Sequence, residues 1–421
     1  MYANRREFLA GMAVSAPALA RAAQTGEKIK AGLIGCGWYG MVDLQAALQT
    51  GGVECVALCD VDSQHLAEAA VQVEKLQGSR PRTFKHYGDL LDTPGLRAVI
   101  IATPPHWHAL PFLDACRRNL DIYCEKPLAY DIREGRAMVN AAKKSKGVVQ
   151  IGFQRRQAEA IRQAGRYIRD GNAGRIVQVD VQIHYAAATP DPTPQDPPAS
   201  LDWDLWCGPA PKLPYSPAIG HKSWRLEAQY GNGHLVDWGI HLIDATRHIL
   251  GEHTPRTVLA SGGLYELKGK ITTPDTMTVT FEFGACPVVW RHRLWGAAEY
   301  SPEVNNGIFF FGEKETVFVT DNRWVVIPRA KGRQRRVTEA ASEAGRLHMA
   351  DFLEAVRTRR QPACQPEDGF LSTATVQLGM IAYRAGGQVA WDAAAEQIAG
   401  NPRGSQLLLR PYRAPYVHPA A

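Results

Sequence analysis

Two groups of side chains in this sequence have the types and spacing for proton chemistry. The first is Glu125-Lys126-Pro127, which closes the apolar run Leu120-Asp121-Ile122-Tyr123-Cys124. A partly desolvated amine beside a cation gives up its proton more readily, so Lys126 is a candidate to exchange a proton with a hydroxyl. The bland alternative is a surface ion pair between Lys126 and Glu125. The second group lies in Gly231-Asn232-Gly233-His234-Leu235-Val236-Asp237-Trp238-Gly239-Ile240-His241. Asp237, His241, Asp244 and His248 recur at helical spacing and form one polar stripe, flanked by Leu235, Ile240, Leu242, Ile243 and Ile249. Asp237 and His241 lie one turn apart, so the carboxylate can orient the imidazole for acid/base work. Other outcomes are a satisfied core pair, the reading given to Asp244 with His248, or a metal held by His234, Asp237 and His241. That spacing matches no strong metal signature, and no metal is expected.

These residues need elements to position them, and the stretch from Lys30 to Asp60 supplies the frame. Ile29 to Ile34 reads as a buried strand that breaks at Gly35-Cys36-Gly37-Trp38-Tyr39-Gly40 and gives way to a helix through Val42, Leu44, Ala47 and Leu48. Gly35 permits the tight turn, Gly37 removes a side chain that would block phosphates, and Gly40 lets the helix lie close on the sheet. Val53 to Leu58 forms a second strand ending at Asp60, about twenty residues after the last glycine, where a carboxylate can take both ribose hydroxyls. With strand, helix and distant acid in place the expectation is a dinucleotide site, the bland alternative being an ordinary tight turn followed by an aspartate cap. An acid at Asp60 would repel a 2′-phosphate, so NAD is favoured over NADP.

The remaining chain supports two domains. Strand and helix alternate to Gly152, the rhythm of a parallel sheet, with a loop at Thr103-Pro104-Pro105-His106-Trp107-His108 over the dinucleotide. From about Gln154 a helix is followed by longer alternating strands joined by short polar turns, as in an antiparallel sheet. Between them Thr189 to Pro217 is proline-rich yet carries Trp203, Trp206, Cys207 and Tyr215, which points to an ordered flap or an oligomer contact. Two amphipathic helices, Gly345 to Thr358 and Gly369 to Arg384, come before the tail. The expected division is residues 1–24 as a signal, 28–153 as a Rossmann domain, 154–390 as a substrate and oligomerisation domain, and 391–421 as an irregular tail.

A formal charge of +6 over 421 residues is too dilute for nucleic-acid binding. Asn4-Arg5-Arg6-Glu7-Phe8-Leu9, followed by the alanine-rich run to Ala20, resembles a twin-arginine export signal. No later run reaches the length of a membrane span. Export of a folded chain to the periplasm, where no soluble nicotinamide pool is expected, implies a cofactor that travels tightly bound. The eight cysteines show no close-paired framework, in keeping with folding in a reducing compartment.

Gly35 to Gly40, Asp60, Ala102-Thr103-Pro104, Glu125-Lys126-Pro127 and Asp237-Trp238-Gly239-Ile240-His241 together resemble the Gfo/Idh/MocA family, the glucose–fructose oxidoreductase and inositol dehydrogenase relatives. The resemblance implies an α/β chain: an N-terminal Rossmann doubly wound parallel sheet, then an α+β domain with an open, mainly antiparallel sheet. It also implies homodimers or homotetramers. Lys126, Asp237 and His241 match the family's catalytic positions. Gly35, Gly37, Trp38, Tyr39, Gly40, Asp60, Thr103, Pro104, His108, Glu125, Lys126 and Gln154 match positions around the cofactor. Exported relatives keep their cofactor bound, although Asp60 departs from the NADP-using type.

The leading expectation is hydride transfer between a retained nicotinamide and a hydroxyl carbon of a sugar, glycoside or cyclitol. Redox-neutral cleavage of a glycosidic bond through a transient keto-sugar is the alternative, and a non-catalytic sensor a third. Trp203, Trp206, Tyr215, Trp224, Tyr230 and Trp238 suit sugar faces or else pack the flap. Arg155, Arg156, His184, His221, Lys222 and Arg225 are candidates for hydroxyl or carboxylate contacts.

Overall fold

The computed structural model describes residues 27–220, 223–297 and 306–419. The signal-like stretch 1–24 and the candidates His221 and Lys222 lie outside the described residues.

Among the described residues the strands form two sheets. The first holds β1 (Ile29–Ile34), β2 (Val53–Cys59), β3 (Arg82–Phe84), β4 (Ala98–Ile101), β5 (Asp121–Glu125) and β6 (Val149–Gly152). Their order is β3-β2-β1-β4-β5-β6, and every pairing is parallel. Strands β4, β5 and β6 are buried along their full length, as expected of a sheet covered on both faces by crossover helices. Helix signals in the sequence act where they stand: Asp62 accepts from Gln64 N and His65 N to start helix Ser63–Gln77, and Gly78 at φ +81° ends it.

The second sheet holds ten strands in a mixed arrangement. Its members are β7 (Ile176–His184), β8 (Thr257–Gly263), β9 (Thr276–Glu282), β10 (Pro287–Arg293), β11 (Asn306–Gly312), β12 (Glu315–Val319), β13 (Arg323–Pro328), β14 (Arg336–Glu339), β15 (Gln388–Asp392) and β16 (Gln397–Ala399). The order is β14-β13-β12-β11-β7-β10-β9-β8-β15-β16, antiparallel throughout except for β7 beside β10. The expected α/β class, a Rossmann sheet followed by a mainly antiparallel one, is what the chain forms.

Helices Glu159–Arg169, Ile240–Leu250 and Pro366–Ala385 cover one face of this sheet. A single apolar core runs from Ile34 and Cys124 in the first sheet through Phe370 and Leu378 to Phe281 and Trp290 in the second. Helix Pro366–Ala385 supports the chain just past Lys126: Thr373 Oγ1 accepts from Leu128 N at 3.0 Å, and Gln377 Nε2 donates to Ala129 O at 2.9 Å. Helix Ala344–Thr358 returns to the first sheet, burying Met349, Phe352, Leu353 and Val356 there.

Two regions differ from expectation. Strand β8 lacks a sequence signal because Ser261-Gly262-Gly263 dilutes its alternation, and β9 completes it. The tail read as irregular carries β16 and helix Pro402–Gln406, and it is fixed to the body where Arg410 Nε donates to Glu134 Oε1 at 2.9 Å. The 189–217 excursion is ordered. It seats on the first sheet through Ser63 N to Ser200 O at 2.9 Å and Lys85 to Asp202 at 2.5 Å.

Gly40 makes the closest approach in the glycine turn, because a Cβ there would run into the carbonyl oxygen of Gly35. Gly40→Ala should therefore force the helix off the sheet and cost about 1–3 kcal/mol, read as a lower denaturant midpoint at unchanged m-value.

Candidate functional site

The glycine turn presents an anion-sized opening. Gly35 sits at φ +94°, with Ala102 carbonyl atoms 2.8 Å from where a Cβ would be, so no side chain fits. An added Cβ at Gly37 would meet nothing within 4 Å. Gly37 precedes helix Trp38–Leu48 without any side-chain cap, which leaves first-turn N–H groups for a ligand. Trp38 and Tyr39 contact edge to face at 5.7 Å, with Trp38 59% exposed at the lip.

Asp60 lies at the end of β2 as expected, but it also ties the turn together. Its Oδ2 accepts from Cys36 N at 2.6 Å and its Oδ1 from Asp62 N at 2.9 Å. A carboxylate has about four acceptor positions, so two remain for hydroxyls. Thr103 follows β4 with its Oγ1 buried and without a partner, and Pro104 opens the short turn Pro105–Trp107. These features fit a dinucleotide's pyrophosphate and ribose.

His108 has a different place from a direct cofactor contact. It is 1% exposed, with Nδ1 2.8 Å from Pro127 O and Nε2 2.8 Å from Thr103 O. Burial lowers its pKa, and the neutral ring carries one N–H, so it donates to one of these carbonyls and lies against the other, between the Thr103 loop and the Lys126-Pro127 loop.

Glu125 and Gln154 form the floor. Gln154 Nε2 donates to Glu125 Oε1 at 2.5 Å and to Tyr123 OH at 3.0 Å, and Lys126 N donates to Glu125 Oε2 at 3.1 Å. Asp43 is buried on helix Trp38–Leu48 near the Glu125 carboxyl, with its Oδ2 buried and without a partner. Burial raises Glu125 to about 7, and burial together with the Glu125 charge raises Asp43 well above the usual carboxylate range. The sequence reading missed Asp43. Its one signal was an acid on the inner face of a helix that must lie on the sheet.

Lys126 projects from the end of β5 and does not pair side chain to side chain with Glu125. Its Nζ donates to Asp237 O at 2.8 Å and Asp237 Oδ1 at 3.1 Å, and the two side chains are 12% and 7% exposed. Arg225 adds its Nε 3.2 Å from Asp237 Oδ2 and stacks over Trp224. Burial works to raise the Asp237 carboxyl, yet the Lys126 ammonium and the Arg225 guanidinium hold it below the usual range.

The expected hydrogen bond from Asp237 to His241 does not form. Leu235–Gly239 winds as a wide π turn before helix Ile240–Leu250 begins, which breaks the one-turn spacing, and Asp237 is taken by two cations. His241 Nδ1 is buried without a partner, and burial with the nearby Lys126 and Arg155 charges pushes its pKa well below 6.5. A neutral imidazole therefore stands beside the ion pair, edge-on to Trp238 at 6.2 Å. His234 Nε2 is likewise buried and unpartnered.

Other candidates resolve into structure. Asp244 pairs with Arg156 Nη2 at 2.5 Å and Ser372 at 2.6 Å, not with His248. Trp203 and Trp206 stack at 4.6 Å and join Tyr215, Trp224 and Tyr230 in a small core of the flap. Arg155 lies over Trp238 and bonds Asp321 at 3.0 Å, keeping both near the cleft. His184 lies at the end of β7 with its Nδ1 buried and unpartnered. Among the described residues the one grouping of three ligand-type side chains within 4.8 Å is Asp131, Glu134 and His418, and backbone N–H groups and Arg410 occupy its oxygens.

Family models match at two places. Residues 29–153 match the Gfo/Idh/MocA oxidoreductase family's NAD-binding Rossmann fold, and 179–418 match its C-terminal alpha/beta domain. The chain belongs to the Gfo/Idh/MocA oxidoreductase family. The rhizopine catabolism protein MocA of Rhizobium meliloti is 28% identical over 53% of this chain and 58% of its own. Inositol 2-dehydrogenase of Salmonella typhimurium is 32% identical over 40% of this chain and 49% of its own. The chain thus spans about half the length of these curated relatives. Among solved structures, levoglucosan dehydrogenase with NADH and levoglucosan superposes with a TM-score of 0.69 at 20% identity, covering 86% of this chain and 99% of that one. Aldose-aldose oxidoreductase of Caulobacter crescentus gives 0.68 at 19% identity, covering 86% and 100%. At such identities the structures share this Gfo/Idh/MocA fold.

The raised Glu125 has a measurable consequence. As pH rises from about 4.5 the unfolded chain ionises this group first, so the folded state loses stability up to about 7 and no further. Glu125→Gln should remove that slope, and the gap in Tm between variant and wild type should widen in the variant's favour across this window.

Proposed function

We propose that this chain is an NAD-dependent oxidoreductase that transfers hydride between a tightly bound nicotinamide and a hydroxyl-bearing carbon of a sugar or cyclitol. The observation that carries this reading is the Lys126 Nζ, brought from the end of β5 to the carboxylate and carbonyl of Asp237. Bound nicotinamide supplies the hydride acceptor. The chain's own residues do the rest. As the carbon gives up hydride, the neutral amine form of Lys126 takes the hydroxyl proton and becomes the ammonium, and it returns that proton in the reverse direction; Asp237 keeps Nζ aimed, and neutral His241 offers a ring nitrogen to position the carbon.

The cofactor reading follows from the same face. Gly35, Gly37, Trp38, Tyr39 and Gly40 would carry the pyrophosphate, Asp60 the adenosine ribose, and Thr103, Pro104, Glu125 and Gln154 the nicotinamide end. Asp60 supports NAD over NADP because a 2′-phosphate would meet a carboxylate. The curated inositol 2-dehydrogenase and the levoglucosan dehydrogenase structure support a polyol or sugar substrate.

The Arg5-Arg6 segment supports twin-arginine export to the periplasm, with folding and cofactor loading first. All eight cysteines are buried free thiols, in keeping with folding under reducing conditions. Association into a homodimer or homotetramer belongs to the same reading. No described helix is long and apolar enough to cross a membrane.

Two measurements test this. Denatured, purified chain should release NAD rather than NADP, and a panel of polyols and sugars should produce the reduced-nicotinamide absorbance in the intact protein; an empty preparation that also turns over nothing with added NAD would overturn the reading. Lys126→Ala should lower kcat/KM by about 10²–10⁴ while nucleotide content stays at the wild-type level.

A further inference from the structure

A second cavity lies outside the cleft, between the C-terminal tail and the last long helix. It encloses about 380 Å³, and neither Lys126, Asp237 nor His241 lines it. That volume suits a ligand of monosaccharide size. One wall is apolar, from Met380, Ile381 and Leu407. The polar lining includes Arg384, Arg410 and Gln377 and one carboxylate, Asp131, whose oxygens are taken by Glu134 N, Arg410 N and His418.

The polar wall has bonding capacity that the protein leaves open. Arg384 donates to Asn232 Oδ1 at 2.6 Å and to the Tyr130 hydroxyl, both neutral acceptors, and no carboxylate among the described residues pairs with it. Arg410 spends Nε on Glu134 and Nη2 on His106 O at 2.8 Å, while Nη1 is buried without a partner. Gln377 is 2% exposed, donates to Ala129 O, and leaves Oε1 buried without a partner. The Arg384 fork, partly exposed and without a carboxylate partner among the described residues, calls for an oxyanion.

We propose that this cavity binds a small hydroxylated oxyanion, a sugar acid or sugar phosphate, on Arg384, with Arg410 and Gln377 behind it. Arg384 supplies the uncompensated charge and the planar fork, and Met380, Ile381 and Leu407 cover the carbon skeleton. Arg384 also grips both stretches that carry the catalytic candidates. Tyr130 lies four residues after Lys126, and Asn232 five before Asp237.

Calorimetric titration of the full chain with D-gluconate, D-glucose 6-phosphate and neutral sorbitol tests the site. Saturable binding of at least one anion is expected, with Kd below about 1 mM, while any binding of sorbitol, a polyol that the cleft itself can take, should be the same in wild type and Arg384→Met. Gluconate alone assigns a carboxylate ligand, the phosphate alone a phosphate ligand, and both the shared oxyanion chemistry. Arg384→Met should weaken binding at least tenfold, Arg384→Lys should fall between, and Lys126→Ala should leave it intact. Absence of anion binding, anion binding unchanged in Arg384→Met, or binding lost in Lys126→Ala but kept in Arg384→Met would overturn the proposal. These titrations need no turnover, so they stand or fall apart from the dehydrogenase reading.

Discussion

The structure turns on one buried contact, the Lys126 ammonium held by the main-chain and side-chain oxygens of Asp237. Removing two charges from water is costly, and their mutual attraction offsets that cost only with good geometry and further hydrogen bonds. Arg225 supplies a further contact, so a carboxylate is shared between two cations in a site almost closed to solvent. The arrangement carries net positive charge beside a neutral His241. Such a site is suited to accepting a hydroxyl that must lose its proton as its carbon loses hydride.

Everything around that contact serves to place its two ends. Strand β5 delivers Lys126 at the carboxyl edge of the parallel sheet, where doubly wound folds bind their ligands. Thr373 and Gln377 hold the loop beyond it, and His108 lies between that loop and the one after β4. On the other side a π turn lets Asp237 face the lysine while the following helix stays buried against the second sheet. Beneath both, Glu125 accepts from Gln154 and the Lys126 amide beside the buried Asp43, and burial raises both carboxyls.

Local chemistry made much of this legible. The glycine turn, the strand before it and the acid after it announced the Rossmann half, because each demand falls on residues close in sequence. Helix bounds such as Asp62 and Gly78 were likewise local. Lys126 and Asp237 stood out by context, but their union spans 111 residues and only packing could reveal it. The same limit hid Asp43 beneath Glu125 and sent Asp244 to Arg156 rather than to His248. Periodicity also failed at the π turn, where a regular-helix rule placed Asp237 under His241. The flap aromatics could not be sorted by composition, since a sugar platform and a small core use the same residue types.

The most direct test is a double-mutant cycle on the ion pair, with wild type, Lys126→Met, Asp237→Asn and the double variant followed in single-turnover reduction of nicotinamide by whichever sugar or polyol the wild type turns over. If the aspartate acts by aiming the lysine, the second substitution costs little once the first is made, and the coupling reaches about 1–3 kcal/mol. Losses that add to within about 0.5 kcal/mol would show two independent residues and contradict the account.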